Sequence, residues 1–210
     1  MIDNRNPGRN RIYREIKASI VSSVYRMGEK LEAPKLADRY NTSVTPVREA
    51  LFRLMGEGLV RSASDGGFQV QPMTHKRLRD TYHFNRDLLL MSLPRRIRGE
   101  AGRPTPAGPA EHIMEDGERD AMASAFNVIF ARSENMQIVL VGRHLNELLA
   151  ATRAVEPLVL SRVEQETLEI AEHLRNEDLI SLRRFIKTYH HRRLTKAAQI
   201  VAELAAQSLE

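Results

Sequence analysis

Short hydroxyl side chains and arginines cluster in the first third of the sequence, and their chemistry is that of binding. Ser43, Thr45 and Arg48 fall within six residues, and Arg53 follows five residues later. Near the N-terminus of a helix, such groups suit phosphate oxygens and base edges in a DNA major groove. The sequence has no G-x-S-x-G, H-E-x-x-H, phosphate-loop or G-x-G-x-x-G motif. We therefore predict no catalytic residues and no enzyme activity.

The residues around these side chains have the pattern of two short helices. Residues 36–40 carry one apolar stripe, and the polar run 41–43 interrupts it. A second stripe then recurs at the helical period, formed by Val47, Ala50, Leu51, Leu54 and Met55. Ser43 or Thr45 is expected to cap this second helix, and Pro46 suits its first turn. Two short helices joined by a tight turn indicate a helix-turn-helix, although an ordinary helical pair with solvated arginines has the same periodicity.

The next segment favours the first interpretation. Residues 61–67 are small and polar, which is typical of a turn, and Phe68–Gln71 alternates apolar and polar residues as a strand does. A helix-turn-helix followed by a hairpin is a winged helix.

The residues of this region resemble the DNA-binding domain of the GntR family of bacterial transcriptional regulators. The resemblance lies in the run L-A-x-x-[FY]-x-x-S-x-T-P-V-R-E-A-L-x-x-L-x-x-x-G-L-V over residues 36–60 and in G-G-F-x-V over 66–70. Asn41-Thr42 replaces the usual Gly-Val, and Val44 replaces an Arg that commonly helps to contact DNA in this family. This protein is therefore expected to read a different operator or to use Val44 on a thymine methyl group. The predicted DNA-binding residues are Lys35, Ser43, Val44, Thr45, Arg48, Arg53 and Gly67.

Composition and charge agree with this assignment. The 210 residues include no cysteine, which excludes disulfides and thiolate metal sites and fits a reducing cytosol. Residues 1–76 hold 13 Lys and Arg against 8 Asp and Glu, whereas residues 77–210 hold 19 of each. The basic excess therefore lies wholly in the predicted DNA-binding part. The N-terminus lacks the apolar core of a signal peptide, so we expect a cytoplasmic, nucleoid-associated protein with no membrane partner.

The rest of the sequence predicts helices. We expect a disordered tail at 1–10, a winged helix at 11–73 and an all-helical domain at 74–210 that binds an effector and forms the dimer. The first helix of the winged domain is predicted at Ile12–Val24, and Gly28–Leu31 is predicted to be a turn. The later helices are predicted at 77–98, 111–132, 135–153, 157–174 and 179–209. A Gly/Pro loop at 98–109 is expected between the first two of them, and Pro157 is expected to open the fourth. Thr74 and either Asn176 or Asp178 are the expected helix caps.

A helical domain behind a GntR-type winged helix resembles the FadR subfamily, whose C-terminal cavity usually holds a divalent metal. The family's ligand positions fall on Ala123, Asn127, Thr167 and Tyr189, none of which is a good ligand for zinc or nickel. We therefore predict no metal and no cofactor. The candidate effector-binding residues are Arg86, Asn127, Thr167 and Tyr189.

Together these features predict a ligand-responsive repressor that binds a short inverted-repeat operator in double-stranded DNA as a homodimer. Two alternatives stay open: a winged helix that binds another protein, and a regulator that responds to no effector because its C-terminal cavity is unoccupied. The sequence does not identify the small-molecule effector.

Overall fold

The chain folds into a small winged domain followed by helices, as seen in a computed structural model that describes residues 7–64, 66–94 and 120–207. Residues 1–6 of the predicted tail, the predicted Gly/Pro loop and the predicted helical residues 111–119 lie outside this range. The described elements are α1 Pro7–Val21, β1 Lys30–Leu31, α2 Ala33–Arg39, α3 Val44–Gly56, β2 Val60–Ser62, β3 Phe68–Val70, α4 His75–Ser92, α5 Ala121–Ala131, α6 Met136–Val159, α7 Val163–Arg175 and α8 Leu179–Gln207. This mostly helical architecture with one small sheet confirms the predicted fold class.

Contacts divide the chain into two compact units. The first runs to Met73 and also takes in the chain from Leu204 onward, and the second runs from Thr74 to Glu203. None of the described helices is long and apolar enough to cross a membrane.

The first unit is built on α3, which packs against α1 and α2. Its inner face consists of Val47, Ala50, Leu51 and Leu54, each at most 4% exposed, as the periodicity predicts. Met55, which we had placed on the same stripe, is 36% exposed. It lies roughly 100° of helix rotation beyond Leu54, at the edge of the buried face.

Helix α1 begins earlier and ends earlier than predicted. It starts at Pro7, so residues 7–10 are helical and not part of a tail. Proline suits the first turn of a helix because its missing N–H would have no partner there. The helix ends at Val21, and Ser23 then adopts a left-handed backbone with φ of 61°. This turn leaves Val24, predicted to be buried, 50% exposed.

The sheet differs from the prediction in two strands: β1 was not predicted, and β2 takes in Arg61 and Ser62, which were predicted to lie in a turn. Its order is β1-β3-β2, with both pairings antiparallel. Lys30 and Leu31, predicted to lie in a turn, pair with Gln69 and Phe68 of β3. Two residues are too few for alternation to be recognised in a sequence. Because β1 leads directly into α2, it connects the wing to the helix-turn-helix.

Helices α4–α7 and the part of α8 up to Glu203 form the second unit. Thr74 caps α4 by accepting a hydrogen bond from the Arg77 N–H at 3.2 Å, and Asp178 caps α8 by accepting one from the Ser181 N–H at 3.0 Å. Both caps confirm the sequence prediction, with Asp178 rather than Asn176 in the second case. The described part of α4 ends at Ser92 because Leu93 precedes Pro94 and is extended.

Helix α6 corrects the prediction that Pro157 opens a helix. The helix runs without interruption from Met136 to Val159 and contains Pro157. The proline has no backbone N–H and therefore removes one hydrogen bond of the helix, but it lies close to Val159, where the helix ends. Its neighbour Glu156 is 1% exposed and bonded to two other helices. These contacts hold the backbone helical through the proline.

Helices α5 and α6 approach closely at Gly142. A Cβ atom built on Gly142 would lie 2.5 Å from the ring of Phe130, which is fully buried. Glycine is therefore required here by space, although it lowers the intrinsic stability of a helix by about 1 kcal/mol.

Candidate nucleic-acid interface and polar interior

The outer face of α3 carries the predicted reading residues at the start of the helix. Val44, Thr45 and Arg48 are all exposed, and Arg48 has no ion pair or hydrogen bond within the described chain. Its guanidinium is thus available to phosphate or to a guanine edge. Val44 is 37% exposed and adds an apolar group beside it.

Arg53 lies on a different side of α3 and faces α1. Its guanidinium carbon lies 3.6 Å from the centre of the Tyr13 ring, and it donates a hydrogen bond to Asn10 Oδ1 at 3.4 Å. It also approaches Glu57 at 3.6 Å. On the helix, Arg53 and Arg48 are separated by roughly 140° of rotation. The structure therefore does not bring these two predicted DNA contacts together.

The remaining predicted contacts lie around α3. Ser43 occupies the N-cap position of α3, but its side chain makes no capping hydrogen bond. Lys35 is exposed on α2 and forms an ion pair with Glu32 at 2.6 Å. Gly67 is exposed at the tip of the wing hairpin, next to Gly66, whose φ of 85° favours glycine.

Phe52 joins the wing to α3 and was not among the predicted site residues. Although it is 54% exposed, its ring meets that of Phe68 edge to face at 5.1 Å. Such pairs contribute roughly 0.5–1.5 kcal/mol beyond their buried area. An aromatic residue on the polar face of a helix was the sequence signal that could have identified it.

The sequence of this unit matches a known family model. Residues 9–70 match the family model for bacterial regulatory proteins of the gntR family. The first unit is a GntR-family domain.

The relatives that this chain resembles in sequence are transcriptional regulators. It is 35% identical to the HTH-type transcriptional repressor GlaR of Escherichia coli K12 over 83 residues, which are 39% of this chain and 38% of GlaR. It is 30% identical to the Nta operon transcriptional regulator of Aminobacter aminovorans over 132 residues, which are 63% of this chain and 61% of that protein. The chain thus spans less than two thirds of the length of these relatives.

The similarity of fold extends further than the similarity of sequence. The crystal structure of a GntR transcriptional regulator from Rhodococcus sp. RHA1 superposes with a TM-score of 0.71 at 18% identity, covering 92% of this chain and 97% of that one. The second unit therefore shares the fold of the helical part of such regulators.

The second unit has a polar interior centred on Arg193, which is 0% exposed. Its Nη2 donates hydrogen bonds to Glu156 Oε2 at 2.7 Å and to Glu166 Oε2 at 2.8 Å. Its guanidinium carbon lies 3.3 Å from the centre of the Tyr189 ring. Burial alone would lower the pKa of Arg193, but Tyr189 and Glu156 raise it, so the guanidinium stays charged.

Arg193 connects four helices through these contacts. Glu156 lies on α6, Glu166 on α7 and Arg193 itself on α8, while Tyr82 of α4 donates its hydroxyl to Glu156 Oε1 at 2.7 Å. Arg192 also donates to Glu166. Replacing one partner in such a group leaves a buried charge uncompensated.

A second buried arginine extends this polar interior towards α5. Arg153 donates to Asp120 Oδ2 at 2.6 Å and to the Asn146 carbonyl at 2.6 Å. Asn146 in turn donates to the Ala123 carbonyl at 3.1 Å and to Asn127 Oδ1 at 2.8 Å. Asp120 also caps α5 by accepting from the Ala123 N–H at 2.9 Å.

Two of the four predicted effector residues lie in the polar interior, and the other two bond to residues outside it. Asn127 and Tyr189 belong to the polar interior just described. Thr167 donates its hydroxyl to the Val163 carbonyl of its own helix at 3.3 Å, and Arg86 pairs with its sequence neighbour Asp87 at 2.8 Å.

The donors at the positions implied for a metal do not fit one. Ala123 contributes a methyl group, and the Asn127 carbonyl oxygen already accepts a hydrogen bond from Asn146. Zinc and nickel prefer imidazole and carboxylate, neither of which is present at these four positions.

His190 is wholly buried beside the same polar interior. Its Nδ1 lies 2.7 Å from the Ile186 carbonyl oxygen and its Nε2 lies 2.9 Å from Asn85 Oδ1. Burial lowers the pKa of His190 to about 3. A neutral ring that donates Nδ1–H to Ile186 has a lone pair on Nε2, which accepts a hydrogen bond once the Asn85 amide is turned over so that its NH2 group takes the place of Oδ1.

The sequence analysis did not identify the buried polar residues Asn146, Arg153, Glu156, Glu166 and Arg193. A signal was present, because Asn146, Arg153 and Glu156 share the helical stripe of Leu145 and Leu149. Polar residues on an apolar stripe indicate a buried polar network.

Proposed function

We propose that this protein is a DNA-binding transcriptional regulator that represses its target genes as a homodimer. Each protomer places the start of α3 in the major groove of one half of a short inverted repeat, and its wing contacts the adjacent backbone or minor groove. The observation that carries the proposal is the outward-facing start of α3, with exposed Val44, Thr45 and Arg48.

Electrostatics support this reading. Residues 1–76 hold 13 basic residues against 8 acidic residues, so the segment that includes the helix-turn-helix has a net positive charge, whereas the 19 residues of each sign in positions 77–210 balance. A net positive segment around the helix-turn-helix fits a reading head that meets phosphate.

Val44 gives the operator a predictable feature. An isopropyl group at the first residue of the reading helix offers no hydrogen bond, but it packs well on the methyl group of thymine. We expect a thymine in each half-site at the base facing Val44. A Val44→Arg variant should shift that preference towards guanine, because arginine binds guanine O6 and N7.

The second unit provides dimerisation and ligand response in this proposal. A small molecule that binds one arrangement of the two protomers more tightly than another changes the spacing of the reading helices and thus the operator affinity. This role corresponds to a FadR-like subfamily member in which a bound metal is not required. Such a protein would act in the cytoplasm at the nucleoid.

A selection of genomic DNA fragments by the purified chain tests the proposal. We expect recovery of fragments that share a short inverted repeat, with an affinity that falls linearly in a plot of log K against log salt concentration. A chain that binds no double-stranded DNA at low salt would refute the proposal and favour a winged helix that binds another protein.

Arg48→Ala tests the reading helix itself. Loss of a base or phosphate contact should weaken operator binding by about 1–3 kcal/mol. Arg175→Ala is the matched control, because Arg175 is an exposed arginine in the second unit. Equal affinities for the two variants would remove Arg48 from the reading surface.

A further inference from the structure

Arg61 lies on the outer face of the wing and was not among the predicted DNA-binding residues. The strand register places Arg61 of β2 and Lys30 of β1 on either side of Gln69, at the centre of β3. Residues directly opposite each other in an antiparallel sheet share a face, so these three side chains form a row. The other face of the sheet is buried and carries Leu31, Val60, Phe68 and Val70. The row is therefore the solvent side of the wing.

Gln69 holds the Arg61 side chain in one orientation. Arg61 Nε donates a hydrogen bond to Gln69 Oε1 at 2.9 Å, and Gln69 Nε2 donates one to the Gly28 carbonyl. A guanidinium can only donate and a carbonyl can only accept, so the Gln69 amide cannot be turned over without losing both bonds. Gly28 is itself fixed on β3, because its N–H donates to the Val70 carbonyl at 3.1 Å. Arg61 is thus oriented before it meets any partner.

The Arg61 guanidinium keeps one donor edge for a partner. Among the described residues, Arg61 has no ion pair with a carboxylate, and Nε is its one hydrogen-bonded nitrogen. Because Nε is occupied by Gln69, the remaining edge is formed by Nη1 and Nη2. The parallel N–H groups of such an edge match two oxygens of a phosphate. Arg61 is exposed, so a phosphate can approach this edge from solvent.

The residues between Arg61 and the tip of the hairpin leave this edge uncovered. The pairing of the two strands continues towards the tip, where the Ala63 N–H donates to the Gly67 carbonyl at 2.9 Å. Because side chains alternate along a strand, Ala63 and Gly67 lie on the same face as Arg61 and Gln69. A methyl group and a hydrogen atom are too small to cover a guanidinium. DNA that touches the wing at Gly67 therefore comes within reach of Arg61, which lies roughly 7 Å back along the strand from Ala63.

From these observations we infer that Arg61 binds a DNA phosphate at the edge of the minor groove and that Gln69 is a positioning residue that orients it. This role rests on the proposed function and adds a defined wing contact to it. Phosphate is favoured over a base edge, because the side chain is tethered at Nε behind the tip and the minor groove is only about 6 Å wide. A phosphate contact fixes the position of a protein on the duplex but carries no sequence information.

Fluorescence anisotropy of the full chain tests the contact. The labelled probes are an inverted repeat recovered by the genomic selection and copies of it with single base changes. Arg61→Gln should weaken binding to the repeat by about tenfold in about 0.1 M salt, and the slope of log K against log salt should become shallower by about one. Each base change should cost the same in the variant as in the wild type. Arg175→Gln, which alters an exposed arginine of the second unit, is the matched control and should bind as the wild type does.

Gln69→Leu tests the positioning role. This variant keeps the charge of Arg61 but removes the acceptor that orients it. Its affinity should fall by about twofold to tenfold, the cost of ordering one long side chain on binding, while the salt slope stays that of the wild type. If Gln69 acts through Arg61, the double variant of Arg61→Gln and Gln69→Leu should bind no more weakly than Arg61→Gln alone. Independent structural damage would instead make the two losses add.

The remaining outcomes each decide one point. Wild-type affinity and salt slope in Arg61→Gln would show that Arg61 only links β2 to β3, and the proposed function would stand without this contact. A changed base preference in Arg61→Gln would place the side chain in the minor groove and overturn the phosphate assignment. Additive losses in the double variant would remove the positioning role of Gln69. A wild-type chain that binds none of the duplexes would refute the proposed function and the Arg61 contact together.

Discussion

Acidification should destabilise this protein through one histidine. His190 is 0% exposed, and its ring stacks at 5.9 Å on Phe126. Its pKa is lowered to about 3, chiefly by burial and also by the charges of Arg193 and Arg86, while the Ile186 carbonyl acts in the opposite direction. The folded protein therefore resists protonation of this ring.

The size of the effect follows from the two pKa values. In the unfolded chain the pKa of a histidine is about 6.5. Between pH 6.5 and pH 3 the unfolded state binds more protons than the folded state, so the free energy of unfolding falls as the pH falls. The slope is about 1.4 kcal/mol per pH unit. Acidification from pH 7.5 to pH 5.0 should thus cost roughly 2 kcal/mol, with full stability present above pH 6.5.

Urea unfolding followed by circular dichroism at 222 nm, at pH 7.5 and at pH 5.0, measures this loss. His190→Gln cannot titrate, so its free energy of unfolding should change little between the two pH values. His191→Gln, an exposed neighbour on the same helix, should keep the wild-type dependence. The reasoning fails if His190→Gln loses as much stability as the wild type.

Three further substitutions have outcomes that the structure sets. Gly142→Ala should lower the free energy of unfolding by about 1–2 kcal/mol despite the better helix propensity of alanine, because overpacking costs about 1–3 kcal/mol. Gly56→Ala should be neutral or stabilising, because a Cβ atom there meets nothing within 4 Å. Urea unfolding of the two variants compares these effects. Arg193→Met should lose about 3–5 kcal/mol of stability in the same assay, because it leaves buried carboxylates uncompensated. Arg53→Ala should lower the melting temperature, because the Arg53 guanidinium stacks on Tyr13. Its operator affinity in a gel shift should fall less than that of Arg48→Ala, and an equal loss of affinity in the two variants would contradict this.

The first unit was predicted well where local sequence decides structure. The stripe from Val47 to Leu54 is buried because its spacing matches one helix turn. Strand β1 was missed because Lys30–Leu31 is stabilised by pairing with a distant strand, which no local pattern encodes. Arg53 was placed on the reading surface because periodicity separates inside from outside but does not show which exposed side meets a neighbouring helix.

The second unit was predicted well in its architecture and poorly in its polar interior. The apolar periodicity of α4–α8 predicted a helical bundle, and the structure confirms it. The role of Arg153 depends on Asp120, which lies 33 residues away, and that of Arg193 depends on Glu156, 37 residues away. Long-range charge pairing of this kind follows from tertiary packing and cannot be seen in a local pattern. The continuation of α6 through Pro157 has the same origin.

Strand β3 has a consequence for how this domain can change over evolution. It lies between β1 and β2, and Gln69 at its centre faces both Lys30 and Arg61. The base of the hairpin is thereby anchored on the strand that leads into the helix-turn-helix, whereas its tip is free of that constraint. Insertions at Ser64 should accordingly lengthen the wing and leave the angle of the reading helix unchanged. Wing length and base preference can therefore diverge separately among descendants of this protein.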